Sequence, residues 1–319
     1  MTGSRMLTLG HYQPADVMTN DDLARVVDTH DEWIRRRVGV RTRHIAAKDE
    51  SVADMAAQAA SKALAKSGLA AEDIDLVVVA TCTAVDRTPN VATRIASQLG
   101  IPSPAALDIN TACSGFTHAL ALADSMIRTS IATKSLVVGV EKLSGFTDWS
   151  DRTTCVLIGD GAGAAVVVAS DVPEISPVVW GSIPEMGRAV LIEGPLGTFA
   201  QDGKAVYRWA TTKLPAIALQ VCQRARVAPE ELGGVILHQA NLRIIDTVVR
   251  QLGAVNAVIA RDIVDSGNTS AASIPLAFSK LVEQGEIAAS APVLLLGFGG
   301  GLSYAGQIVH CPGVPAAQP

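Results

Sequence analysis

Short apolar runs alternate along the chain with longer stretches whose apolar residues recur every three or four positions. The runs Asp75–Ala80, Ser135–Val140, Cys155–Ile158, Ala164–Ala169, Gly234–Leu237 and Val293–Leu296 read as strands. Val52–Ser67, Val91–Leu99, Ser114–Thr129, Thr211–Ala225, Leu242–Leu252 and Ile274–Gln284 carry the helical period and are rich in alanine. Strands and helices in alternation predict an α/β protein of sheets covered by helices. The halves echo each other loosely: each has a helix, a strand ending at a candidate residue or loop, another helix and another strand. Gly159-Asp160-Gly161-Ala162-Gly163 lacks dinucleotide-loop spacing and precedes a strand-like run, so it reads as a turn between two strands. Gly194–Gly203 and Pro312–Pro319 read as a loop and a frayed tail.

Composition narrows the class. With 319 residues, 49% of them hydrophobic, the chain can bury a large core. Only 18% of residues are charged, and the mean hydropathy of +0.30 fits a surface partly covered in an oligomer. No run of 18 apolar residues exists, which predicts no membrane span, and Met1–Gln13 has no signal-peptide pattern. A net charge of −5 argues against nucleic acid as a partner. Five dispersed cysteines without a CxxC pair suggest neither zinc nor a disulfide framework, and reduced thiols place the protein in the cytoplasm.

Three segments carry candidate chemistry. Cys113, in Asn110-Thr111-Ala112-Cys113-Ser114-Gly115, stands between an apolar run and a helix. A helix N-terminus favours a thiolate, which makes Cys113 a candidate nucleophile of lowered pKa. A lone cysteine there is more often a small core residue. His238 ends an apolar run and Asn268 sits in a Gly/Ser/Thr turn. Alone, the first reads as a structural histidine and the second as a cap. All three at strand-to-loop junctions, where α/β proteins place their chemistry, point to a site.

Thr111–Phe116, His238–Ile244 and Ser266–Ser273 resemble the Cys, His and Asn motifs of the β-ketoacyl-acyl-carrier-protein synthase III branch of the thiolase superfamily. Asp31–Ile34, Gly39–Ile45, Asp151-Arg152, Gly159–Ala164 and Gly297–Gly301 resemble further family motifs in the same order, so the likeness runs from about Thr19 to Tyr304. It implies a thiolase-like five-layered α-β-α-β-α fold. Residues 1–170 would form a half carrying Cys113, and residues 171–319 a half carrying His238 and Asn268. The joint would lie near Ser170–Pro177.

The resemblance also implies a reaction. Cys113 takes an acyl group from an acyl-CoA substrate, with the backbone N–H groups of Cys113 and Gly300 as oxyanion hole. His238 and Asn268 then stabilise the enolate formed when malonyl-acyl carrier protein loses CO₂. The enolate attacks the acyl group, giving a 3-ketoacyl-acyl carrier protein and initiating fatty acid synthesis. No metal or other cofactor is called for. Trp33 and Arg152 would sandwich the CoA adenine, and Thr29, Arg37 and Asn241 would lie along the rest of CoA. Thr88 would reach the partner subunit's acyl pocket in a homodimer, and Thr there leaves more room than Phe. The strand near Ser135–Val140 would pair the two subunits. Arg208, Lys213, Arg243 and Arg250 are candidates for docking an acidic carrier protein. The stretch Trp180–Lys204 is shorter than the family's usual pocket wall. Three alternatives stay open: a starter or acyltransferase enzyme of a polyketide or secondary-metabolite pathway, a Cys-His thioester hydrolase, and a non-catalytic partner subunit.

Overall fold

A computed structural model describes residues 3–194 and 197–313; Pro195, Leu196 and residues 314–319 of the predicted loop and tail lie outside them. Two five-stranded sheets organise the molecule. The first uses β1 (Gly3–Tyr12), β2 (Leu76–Ala80), β3 (Ala105–Ile109), β4 (Lys134–Lys142) and β5 (Asp160–Ser170) in the order β1-β5-β4-β2-β3. The second uses β6 (Val179–Ser182), β7 (Gly234–Leu237), β8 (Val258–Ile259), β9 (Pro292–Gly299) and β10 (Ser303–His310) in the order β6-β10-β9-β7-β8. Strand for strand the orders match, and so do the directions. Two antiparallel pairings are followed by two parallel ones in each sheet.

Besides the one-turn helices Asn20–Leu23 and Ile263–Ser266, the helices among the described residues are α1 (Asp31–Arg37), α2 (Val52–Ser67), α3 (Val91–Gln98), α4 (Gly115–Arg128), α5 (Gly203–Ala225), α6 (Leu242–Leu252) and α7 (Ser273–Glu283). Helices α4 and α7 lie between the sheets and touch both, while α2 and α3 cover the first sheet and α5 packs on the second beside α6. The result is the thiolase-like five-layered α-β-α-β-α arrangement. Strand β2 shows why its run is apolar throughout: Val77 and Val79 face the outer helices, Leu76, Val78 and Ala80 the middle layer.

Several sequence expectations change. Cys155–Ile158 is a buried turn, with only Ile158 bridging Asn268, because this segment wraps over Asn268 instead of entering a sheet. Gly161 and Gly163 belong to β5 itself. Helix α7 lies so close that a Cβ on Gly163 would stand 2.5 Å from the Leu276 backbone, so glycine serves close approach there. The run at Ser135–Val140 is the middle of β4, bonded on both sides, and has no free edge for a partner. Beyond β2, the sheet ends at β3, whose Ala105 is exposed and whose next four residues are half-buried.

Candidate active site

Cys113 and His238 sit where strands run out, whereas Asn268, expected at such a junction, follows the short helix Ile263–Ser266. From β3 the chain enters a tight turn, Ala112–Ser114, before α4 begins. Ala112 adopts φ 46°, a left-handed conformation that non-glycine residues seldom take. That kink presents Cys113 toward the end of β9. A Cβ on Gly299 would lie 2.8 Å from the Cys113 sulfur, so only glycine lets β9 pass there. The backbone N–H groups of Gly300 and Cys113 act to lower the pKa of the Cys113 thiol.

Cys113 is 7% exposed and opens onto a cavity of about 350 Å³. Leu143, Leu191, Ile192 and Phe199 give the cavity an apolar wall, and Cys82, Ser270 and Gly300 line it near the sulfur. The wall is thus built largely by the Trp180–Lys204 stretch. Burial pushes the Cys113 thiol up, and Glu141 adds to this, against the hydrogen bonds from Ser270 and the two backbone N–H groups. The expected lowering fails because Cys113 precedes the first turn of α4 and is wholly enclosed.

His238 follows β7 and is 2% exposed. Its N–H donates to the Leu296 carbonyl at 2.9 Å, and its ring stands edge-on to Phe298, centroids 5.3 Å apart. Ser273 Oγ lies 2.7 Å from Nδ1 and accepts the Gln239 N–H at 3.3 Å. Where the Ser273 hydroxyl donates to Nδ1, the ring hydrogen lies on Nε2, free to donate. Burial lowers the His238 pKa to about 3, so the ring is neutral at pH 7.

Asn268 precedes a second tight turn, Ser270–Ala272, and its Oδ1 accepts the Ser270 N–H at 2.8 Å. With Oδ1 committed, the Nδ2 amino group is the part left to donate. The Leu157 carbonyl and Gly159 N–H hold the Asn268 backbone at 2.7 and 3.1 Å. His238 and Asn268 do not line the Cys113 cavity directly; Asn268 adjoins it through Ser270, while His238 stands against Phe298 behind the lining residues.

The remaining candidates spread outward. Arg152 lies over Trp33 at 5.1 Å and donates to the Asp28 carbonyl at 2.9 Å. A base stacked between them needs a separation of about 7 Å, so an adenine must displace Arg152 by about 2 Å. Thr29 keeps a buried hydroxyl without a hydrogen-bond partner, and Arg37 is exposed. Asn241 caps α6 through Arg243 N–H and donates to the Arg37 carbonyl at 3.3 Å, which already accounts for its amide. Arg208 and Lys213 on α5, and Arg243 and Arg250 on α6, are all exposed on these two adjoining helices. Thr88 lies on an exposed loop outside its own chain's cavity. Sequence reasoning gave no role to Glu141, Ser270 or Ser273 and set Cys82 aside. Cys82 in fact shares the Cys113 cavity, and only the fold could show that.

Two family models match the chain: 3-oxoacyl-[acyl-carrier-protein (ACP)] synthase III over residues 107–184 and its C-terminal region over residues 222–311. Beta-ketoacyl-[acyl-carrier-protein] synthase III 2 of Streptomyces avermitilis is 66% identical over 98% of this chain and all of that protein. Beta-ketoacyl-[acyl-carrier-protein] synthase III 4 of Streptomyces coelicolor is 63% identical over 97% of this chain and 99% of its own length. Among solved structures, the priming β-ketosynthase of the R1128 polyketide biosynthetic pathway superposes with a TM-score of 0.95 at 39% identity, covering 98% and 97% of the two chains. The 3-oxoacyl-[acyl-carrier-protein] synthase III of Aquifex aeolicus does so with 0.92 at 38%, covering 97% and 100%.

Proposed function

Because the chain belongs to the 3-oxoacyl-[acyl-carrier-protein] synthase III family, we propose that Cys113 is the nucleophile of its condensation and that His238 and Asn268 are the enolate donors. The enzyme is an acyltransferase of decarboxylative condensation. It joins an acyl-CoA starter to malonyl-acyl carrier protein and forms the 3-ketoacyl product that initiates fatty acid synthesis. The observation that carries the residue assignment is the Cys113 side chain on a cavity of about 350 Å³ that Gly300 and Ser270 also line, with the Gly300 and Cys113 N–H groups favouring its thiolate.

Loading proceeds by attack of sulfur on the thioester carbonyl, whose oxyanion the Cys113 and Gly300 N–H groups receive, followed by departure of CoA. Malonyl-acyl carrier protein then loses CO₂. The Nε2–H of a neutral His238 and the Nδ2 group of Asn268 donate to the enolate oxygen. The enolate carbon attacks the acyl carbonyl and Cys113 departs. The thioester stabilises the carbanion, so this chemistry asks for no metal or redox cofactor. Trp33, Arg152, Thr29, Arg37 and Asn241 would take CoA, and the α5–α6 cations the carrier protein. The proposed homodimer forms by β3 pairing with its mate, which carries Thr88 toward the other cavity. We place the enzyme in the cytoplasm; no helix among the described residues is long and apolar enough to cross a membrane.

The likeness to a priming ketosynthase favours a second reading, starter loading for a polyketide pathway on the same residues. Incubation with a panel of acyl-CoA thioesters and malonyl-acyl carrier protein tests both. Expected are an acyl adduct on Cys113, CO₂ and a ketoacyl product, with the preferred starter separating the two pathways. Free acid without CO₂ would mean a hydrolase, and no adduct a non-catalytic subunit.

A further inference from the structure

Behind Cys113 lies a carboxyl group that the reaction above leaves unused. Glu141, near the end of β4, is fully buried. It accepts from Thr83 Oγ1 at 2.7 Å, Thr81 Oγ1 at 3.2 Å, the Cys82 N–H at 3.1 Å and the Cys82 thiol at 3.3 Å. A fifth donor is the Ser270 hydroxyl at 3.0 Å. Among the described residues no cation balances it: Lys142, next in the strand, turns its ammonium to the carbonyls of Ala47, Lys48 and Glu50. The titratable groups that face Glu141 are the thiols of Cys82 and Cys113. Asp160, opposite Lys142 in the sheet, is occupied by Ala46 and Ser144, and His238 stands against Phe298. The Ser270 hydroxyl that donates to Glu141 lines the same cavity as Cys113, lies 4.0 Å from the Cys82 sulfur, and acts to lower the pKa of the Cys113 thiol.

We propose that Ser270 and Glu141 form a proton relay for Cys113, in which the thiol gives its proton to Ser270 Oγ while Ser270 passes its own to the Glu141 carboxylate. This rests on Cys113 being the nucleophile. The S–H bond breaks as the sulfur–carbonyl bond forms, and CoA leaves as a thiolate that takes a proton from solvent. Glu141 stays protonated through the acyl-enzyme state. When the condensation adduct collapses, the sulfur–carbon bond breaks, and the thiolate recovers its proton through Ser270 as Glu141 is deprotonated. His238 is poorly suited to this task, because it does not line the Cys113 cavity and burial disfavours its taking a proton. A neutral Glu141 also removes a negative charge from beside the malonyl carboxylate and the enolate. A buried carboxyl without a cation is well placed to hold a proton, and burial indeed pushes the Glu141 carboxyl up.

Stopped-flow loading of acyl-CoA between pH 6 and 9 tests the relay in the wild type, Glu141→Gln and Ser270→Ala. The relay predicts a nearly flat wild-type profile above neutrality. Both variants should load about a hundredfold more slowly at pH 7, within the range of lost general-base assistance, and gain about tenfold per pH unit. Ser270→Ala leaves the carboxylate its four other donors, so it decides the matter should Glu141→Gln fold poorly. Wild-type rates in Ser270→Ala, or a loss uniform across pH, overturn the relay. Mapping the adduct by mass keeps that failure distinct from failure of the nucleophile: an acyl group on a residue other than Cys113 refutes the underlying assignment instead.

Discussion

In the first half the chain leaves β3 and enters α4 through Asn110-Thr111-Ala112-Cys113-Ser114-Gly115. In the second it leaves β8 and reaches α7 through Asn268-Thr269-Ser270-Ala271-Ala272-Ser273. The backbones agree closely. Thr111 and Thr269 have φ −127° and −101° with ψ 32° and 26°, and the next residues, Ala112 and Ser270, share the left-handed φ of 46° and 45°. Yet Cys113 looks into a cavity, and its counterpart Ala271 is 1% exposed, packed toward Gly115. A strained turn ahead of a helix is therefore common to both halves, and the cavity with its N–H donors is particular to the first. What the second half offers is the start of its turn, Asn268, and the kinked Ser270. Matching strand orders place two copies of one turn at corresponding positions, and each copy offers a different residue.

The largest effects test that division. Cys113→Ser should reduce acyl-enzyme formation below detection by intact mass. Cys113→Ala combined with Ala271→Cys moves the thiol to the twin turn and should not restore loading, since that position has no cavity. Loading by the double variant would mean that the turn suffices, and the contrast between the halves would collapse.

Next come the donors of the second half. His238→Ala and Asn268→Ala should still load Cys113 but lose malonyl decarboxylation by about a hundredfold or more, the scale of a lost oxyanion donor. Equal losses in both steps would assign His238 to the thiol instead. Acid sensitivity gives an independent check. The folded His238 pKa of about 3 lies below its unfolded value near 6.5, so between those values the unfolded chain binds the extra proton. The neutral ring's contribution is complete above pH 6.5 and is lost as pH falls toward 3. Melting temperatures from pH 7 to 4.5 should fall less in His238→Ala than in the wild type.

The sequence was most readable where a single periodicity ruled. Helices α2 and α6 begin and end where their apolar spacing does, and β7 is its four-residue run. Cys113, His238, Asn268 and Gly300 were legible because each lies in a short stretch of motif. Strand β5 was misjudged at its glycines, since the closeness of α7 that requires them is set by residues a hundred positions away. Cys155–Ile158 has a strand's composition, but its apolar side chains fill the core between α5 and the second sheet from a turn. Glu141 reads as one more charged residue at the end of a strand. Its five donors come from β2's end and the Ser270 turn, and neither is close in sequence. Pairing across a sheet edge was the weakest inference, because strand order cannot be read from strand composition.

A smaller effect is expected where the halves differ in loop length. After β7 the chain needs only His238–Asn241 to reach α6, whereas after β2 it runs from Thr81 to Asn90 before α3. That longer loop carries Thr88 and leaves Val85 81% exposed, a surface suited to cover by a second copy. Thr88→Phe should cost long or branched acyl-CoA about tenfold to a hundredfold in kcat/KM relative to acetyl-CoA, as overpacking by about 1–3 kcal/mol requires. An unchanged ratio, or a monomer by light scattering, would remove Thr88 from the pocket.

The smallest effect belongs to the mouth of the site, where the halves divide the substrates. Thr29, Trp33, Arg37 and Arg152, the proposed CoA residues apart from Asn241, come from the first half, and the four carrier-docking cations come from the second. Trp33→Ala should raise KM for acyl-CoA by about twofold to fivefold, the worth of a partly exposed cation–π contact, and leave KM for malonyl-acyl carrier protein unchanged. Arg243→Ala should do the reverse, and more so at low salt, because an exposed docking charge acts mainly through screened attraction. Arg152 already rests on Trp33, so a base entering between them replaces one stacking contact with two. The pair should therefore show coupling: Arg152→Ala in the Trp33→Ala background should cost less than it does alone. Additive losses would mean that the two residues meet CoA separately, and equal changes in both KM values would mean that the mouth is shared between the halves.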